Sequence, residues 1–185
     1  MALMEVNFFS KALMRPVTMN VILPVDKVFF GEETEEENKP FKTLYLLHGV
    51  MGNYTDWVTG TCIKRWAEEK NLAVVMPSGA NMFYMDHPNA NENYSEFIGK
   101  ELVKITRRMF PLSHKKEDTF IAGLSMGGYG AIRNGLKYHD TFGYIAGLSS
   151  AMILEKMGTT SFVITSRQIQ IMILGKRGIT ESQVM

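Results

Sequence analysis

Gly123-Leu124-Ser125-Met126-Gly127-Gly128 holds the residue types for one kind of chemistry, attack by a serine hydroxyl on a carbonyl. Glycines two positions either side of a serine allow a turn too sharp for side chains, and such a turn lifts the hydroxyl clear of the backbone. The setting fits. Thr119 to Ala122 reads as a buried strand, and Tyr129 to Tyr138 reads as a helix. A carbonyl attacked by serine passes through a tetrahedral oxyanion, which needs two backbone N–H donors. Met126, directly after the serine, would supply one at a helix N-terminus, where the dipole also favours negative charge. The second must come from the loop after an earlier strand, and His48-Gly49-Val50-Met51-Gly52-Asn53 is the candidate. The glycines at 123, 127, 128 and 130 do not give the G-x-G-x-x-G spacing of a dinucleotide site. No lysine follows them as in a phosphate-binding loop.

A serine needs a histidine base, and this chain offers few. After Ser125 the sequence contains one histidine, His139, and one aspartate, Asp140. A helix rises 1.5 Å per residue, so His139 is expected roughly 20 Å from Ser125. They read as a surface pair at a helix end. His48 follows a strand and reads as an orienting or packing residue. His87 lies in the irregular stretch Asn81 to Asn93 and is the least implausible substitute base. His114 follows Pro111 in a surface turn.

The elements around these residues alternate. Val6 to Ser10 and Thr18 to Leu23 read as early strands, with Arg15-Pro16 near the turn between them. Gly31 to Pro40 is an acidic, solvated loop. Thr43 to Leu47 and Leu72 to Met76 are short apolar strands. Between them Thr61 to Lys70 reads as a helix, with Ile63, Trp66 and Ala67 on its inner face. Asn81 to Asn93 reads as a long loop, and Tyr94 to Phe110 as a long helix ended by Pro111. Gly143 to Leu148 gives another strand. This order predicts an α/β fold, a mostly parallel central sheet covered on both faces by helices. In the tail, Ile169, Ile171 and Ile173 alternate as a strand would, but residues 151 to 185 carry no strong helical period.

Composition sets bounds. The 185 residues fit one domain; 45% are hydrophobic and 21% charged, with a net charge of +1. That charge gives no electrostatic case for nucleic acid or an anionic membrane. No stretch reaches the ~18 apolar residues of a membrane span. Met1 to Pro24 contains charges and no long apolar run, unlike a signal peptide, and the single Cys62 suits a reducing, cytoplasmic compartment. No metal or cofactor is implied.

Four further segments sharpen the reading: Thr43-Leu44-Tyr45-Leu46-Leu47-His48-Gly49; Gly52-Asn53 with Asp56-Trp57; Leu72-Ala73-Val74-Val75-Met76-Pro77; and Phe120 through Gly130, which includes GLSMGGYG. On these residues, from about Phe8 to Ala151, the chain resembles the Putative esterase family of the α/β-hydrolase fold. Tributyrin esterase is the nearer likeness, and S-formylglutathione hydrolase (esterase D) the more distant one. The resemblance implies a carboxylesterase that hydrolyses short-chain acyl esters. It gives Ser125 as nucleophile, the N–H groups of Val50 and Met126 as oxyanion donors, and Gly123 and Gly127 as the elbow glycines. Trp57 falls near the pocket mouth, where an aromatic could equally be core.

The chain departs from the family pattern at one point. In α/β-hydrolases the order is Ser, then Asp or Glu, then His, and neither a triad acid nor a triad base can be identified here. The likeness fades after Ser149-Ser150-Ala151. The chain is therefore expected either to lack the last strands of the fold, through truncation or a disrupted frame, or to be a triad-less variant. Two alternatives stay open: a non-catalytic binding or assembly protein, and an acyltransferase using the same serine. A sheet ending at Leu148 would present an apolar edge through which copies could associate.

Overall fold

The computed structural model describes residues 1–26, 39–151 and 171–174, the last as backbone only. In chain order the elements begin with β1 (Ala2–Ser10), β2 (Arg15–Leu23) and β3 (Lys42–Leu47). Then come helices α1 (Asp56–Gly60) and α2 (Ile63–Glu69), and strand β4 (Leu72–Pro77). Two short strands, β5 (Asp86–His87) and β6 (Glu92–Asn93), precede α3 (Tyr94–Glu96), a π-helical turn (Phe97–Glu101) and α4 (Leu102–Met109). The rest is β7 (Thr119–Leu124), α5 (Met126–Lys137), β8 (Tyr144–Leu148) and β9 (Ile171–Leu174).

Seven strands form one sheet in the order β1-β2-β4-β3-β7-β8-β9. The centre, β4-β3-β7-β8, is parallel, and the β1–β2 hairpin joins it antiparallel through β4. Successive residues of a strand face opposite sides of the sheet. In β3, Tyr45 and Leu47 enter one core, whereas Leu46 enters the other; in β4, Ala73 and Val75 divide from Val74 and Met76 in the same way. The larger core lies under α4, α5 and the π-helical turn, with Phe97, Ile98, Leu102 and Ala131 in it. The smaller one packs Ile63 and Ala67 of α2 against Ile22, Val74 and Ala122. Two such layers are why short apolar runs, not alternating ones, mark these strands. This is the doubly covered α/β sheet expected from the sequence. No helix among the described residues is long and apolar enough to cross a membrane.

Four local expectations need correction. Helix α2 is shorter than Thr61 to Lys70 and leaves Trp66 exposed; Ile63 and Ala67 alone reach the core. Ile63 and Ala67 lie one turn apart on the buried face, and Trp66, although three residues on from Ile63, is 49% exposed. The stretch Asn81 to Asn93 is not wholly irregular, because Asp86 pairs with Asn93 and His87 with Glu92. The long helix after Tyr94 widens into a π turn at Phe97–Glu101, where Gly99 lies against the Tyr138 ring; a Cβ there would sit 2.0 Å from it. Finally, the edge expected to be open beyond Leu148 carries a strand. β9 pairs antiparallel with β8, from Ile145↔Leu174 to Leu148↔Ile171. The acidic loop Gly31 to Pro40 falls mostly outside the described residues, as does Ile169.

The pairing of β9 makes a prediction. A chain ending at Ala151 loses β9 and bares the β8 edge, and such edges recruit other strands. Light scattering is expected to give it a higher mass than the 185-residue chain at equal concentration. Equal masses would refute this.

Candidate active site

Ser125 links the end of β7 to the start of α5 with φ 55° and ψ −114°. That region is costly for a residue with a Cβ, typically by about 1–3 kcal/mol. Three backbone hydrogen bonds hold it there. The Ser125 N–H donates to the Leu148 carbonyl at 2.9 Å, and its own carbonyl accepts from the N–H of Tyr129 at 3.0 Å and of Ala151 at 3.1 Å. The serine is thus clasped between its own helix and the end of the neighbouring strand.

The two glycines of the turn are needed for close approach. A Cβ on Gly127 would lie 2.4 Å from the Leu47 carbonyl oxygen and 2.6 Å from that of His48. A Cβ on Gly123 would lie 2.3 Å from the Gly127 carbonyl oxygen. The C-terminal ends of β3 and β7 and the first turn of α5 therefore meet backbone to backbone. The loop after β3 follows them in: a Cβ on Gly49 would be 3.7 Å from the Ser125 Cβ. Val50 comes next, and its N–H has no protein acceptor among the described residues. The Met126 N–H opens α5, in the turn whose donors have no intrahelical acceptor. The structure so brings Ser125 together with the loop carrying Val50 and with the first amide of α5.

His48 is held as part of the frame. It is buried, its Nε2 accepts the Gly79 N–H at 2.8 Å, and its Nδ1 lies 2.7 Å from the Gly49 carbonyl oxygen, to which it donates. Burial pushes its pKa below the usual histidine value, so the ring stays neutral at pH 7. Both nitrogens are engaged, which leaves none for the Ser125 proton. His139 lies beyond the end of α5, 69% exposed, with its Nε2 3.4 Å from Asp140. His87 is half-buried in β5. Trp57 packs partly buried against the smaller core, and its indole N–H has no partner among the described residues. No cluster of His, Cys, Asp or Glu among the described residues could hold a metal ion.

Sequence reading missed Tyr84, which lies in the stretch Asn81 to Asn93 read as a long loop. Tyr84 is fully buried at φ 55°. Its hydroxyl donates to the His48 carbonyl at 3.1 Å, and its own carbonyl accepts from the Asn134 amide at 3.1 Å. The ring fills the space that a Cβ on Gly79 or on Gly130 would need, 2.1 Å and 2.5 Å away. Tyr84 thereby ties the loop after β3 to α5. Tyr84→Phe leaves a buried carbonyl unpaired and is expected to cost about 1–3 kcal/mol. A urea melt measures this, and an unchanged midpoint would contradict the role.

A mixed sheet in this strand order, parallel through its four central strands, with a strained serine between the end of β7 and a helix, defines an α/β-hydrolase. The sequence pattern of the Putative esterase family matches residues 10–167, and the chain belongs to that family. It is 49% identical over 157 residues to an acetyl esterase of Caldicellulosiruptor saccharolyticus, covering 85% of this chain and 59% of the relative. Among solved structures it is similar to the S-formylglutathione hydrolase of Staphylococcus aureus, with a TM-score of 0.68 at 38% identity. That match covers 80% of this chain and 57% of the other. A fluorophosphonate-binding serine hydrolase of the same organism matches with a TM-score of 0.71 at 34% identity, covering 87% and 63%. The chain thus spans about three fifths of the length of each.

Proposed function

We propose that the chain carries the nucleophilic half of a serine carboxylesterase acting on short-chain acyl esters. The observation that carries this reading is Ser125 itself, a non-glycine residue held at φ 55° at the start of α5, with the loop after β3 packed close to it at Gly49. In this reading the Ser125 hydroxyl attacks the ester carbonyl. The Val50 and Met126 N–H groups stabilise the oxyanion, the alcohol leaves, and water then releases the acyl group from Ser125. The acetyl esterase and the serine hydrolase among the relatives support an ester substrate. The lone Cys62 suits a cytoplasmic setting.

Proton transfer is where the arrangement falls short. His48 is committed to Gly79 and Gly49, and His139 sits beyond the far end of α5. In this reading Ser125 is a mounted nucleophile that neither His48 nor His139 can serve as base. Labelling by a fluorophosphonate probe tests this without requiring turnover. Slow modification of Ser125, seen by mass spectrometry and absent in Ser125→Ala, is expected. Equal labelling of the variant would reject the assignment. Adding alcohol or thiol acceptors and analysing the products separates hydrolysis from acyl transfer.

The commitment of His48 favours a second reading, a non-catalytic binding or assembly protein. Ligand or partner association unaffected by Ser125→Ala would support it.

A further inference from the structure

A groove of about 570 Å³ lies away from Ser125, between the end of β1, the β1–β2 turn and the outer face of the helix running from Glu96 to Arg108. Its chemistry is lopsided. Lys11, Lys100, Lys104 and Arg108 line it, against Glu96 and Glu101. Glu101 is already spent on the turn: its carboxylate accepts from the Ser10 hydroxyl at 2.5 Å and from the N–H groups of Lys11 and Ala12 at 2.7 and 3.1 Å. Glu96 reaches only Lys100, at 3.9 Å, with both side chains more than half exposed. Lys11, Lys104 and Arg108 have no acidic partner among the described residues.

The groove also has an apolar wall and an open sheet edge. Phe8 stacks on Phe97 with ring centroids 6.3 Å apart, Ile105 is half-buried, and Phe9 is 58% exposed. Among the described residues β1 is the outermost strand, paired on one side only, so alternate N–H and C=O groups on its other side have no strand partner there. Spacing then points to the ligand. Lys104 and Arg108 stand one turn apart in α4, about 6 Å along the axis. Alternate residues of an extended chain are about 6.7 Å apart and face the same way.

We propose that this groove binds an extended acidic peptide, laid against the β1 edge with acidic side chains toward Lys104 and Arg108 and alternate apolar ones toward Phe9. Strand addition of this type takes affinity from main-chain hydrogen bonds and specificity from alternate side chains. Nothing in the reading of Ser125 is required for it.

The test is fluorescence anisotropy with the 185-residue chain at low salt, using a labelled peptide that alternates glutamate and valine. Binding is expected to weaken about tenfold or more with a glutamine–valine peptide, with N-methyl groups on alternate peptide amides, and in Lys104→Glu/Arg108→Glu. Both substituted side chains are exposed, and circular dichroism checks that the fold is kept. The glutamine peptide binding equally well overturns the proposal, and so does undiminished binding to the double variant. Tighter binding of a single-stranded oligonucleotide, or of vesicles containing phosphatidylserine, also overturns it, because a generic anion surface would then explain the charge. If the N-methylated peptide binds as tightly, strand addition fails.

Discussion

Turnover of p-nitrophenyl acetate by the 185-residue chain is expected to be about a millionfold below that of a serine hydrolase with a complete triad. That is the loss found when the base is removed from such a site. The physical reason is proton transfer. A serine hydroxyl must shed its proton as it attacks, and the ring nitrogens of His48 are taken by Gly79 and Gly49. Replacing His87 or His139 by glutamine is therefore expected to change nothing further. Under the proposed assignment the residual rate would come from the N–H groups of Val50 and Met126 and from substrate binding, a contribution of about 10³–10⁴ over water in comparable knock-outs. Initial rates over a range of enzyme concentrations, with Ser125→Ala as reference, measure it. Turnover at the level of a complete triad that vanished in Ser125→Ala would mean that a base exists in the chain after all.

Gly127→Val is expected to destabilise the fold by about 3 kcal/mol or more. Ordinary overpacking is relieved when a flexible side chain moves aside. Here the obstacles are the carbonyl oxygens of Leu47 and His48, at 2.4 and 2.6 Å from the new Cβ, and both belong to the backbone at the end of β3. Relief would need α5 to lift from the sheet, which would also carry Met126 away from the loop holding Val50. Gly60→Ala is the control, since a Cβ at that position meets nothing within 4 Å. Urea melts of the two variants should differ by the full amount. A Gly127→Val midpoint within error of the parent would show that the turn tolerates a side chain.

Much of this architecture is legible before folding because one physical signal repeats. Thr43 to Leu47, Leu72 to Met76 and Thr119 to Ala122 are short apolar runs, and a strand buried on both faces has no other way to look. The serine turn is equally plain, because backbone-to-backbone crossing leaves only glycine. What sequence could not show was chosen by tertiary contact. Trp66 follows the helical period of α2 yet is left exposed, because burial depends on what packs against the helix and not on its own period. Tyr84 carries no pattern at all. Its importance comes from Gly79 and Gly130, fifty-one residues apart in sequence, leaving a slot of its width. The pairing of Ile171–Leu174 with β8 could be read as a strand from alternation, but neither its partner nor its direction could.

The clasp on Ser125 also sets when the serine acquires its geometry. The Leu148 carbonyl and the Ala151 amide lie more than twenty residues along the chain, and the Leu47 and His48 carbonyls against Gly127 lie about eighty residues back. Contacts of that separation cannot form locally, so the strained turn exists only after β3, β7 and β8 have assembled. The serine cannot be pre-formed in a partly folded chain, and it cannot relax without breaking the sheet. Its amide should therefore exchange with solvent deuterium only through global opening, which places the most reactive-looking residue of the molecule in its slowest-exchanging class.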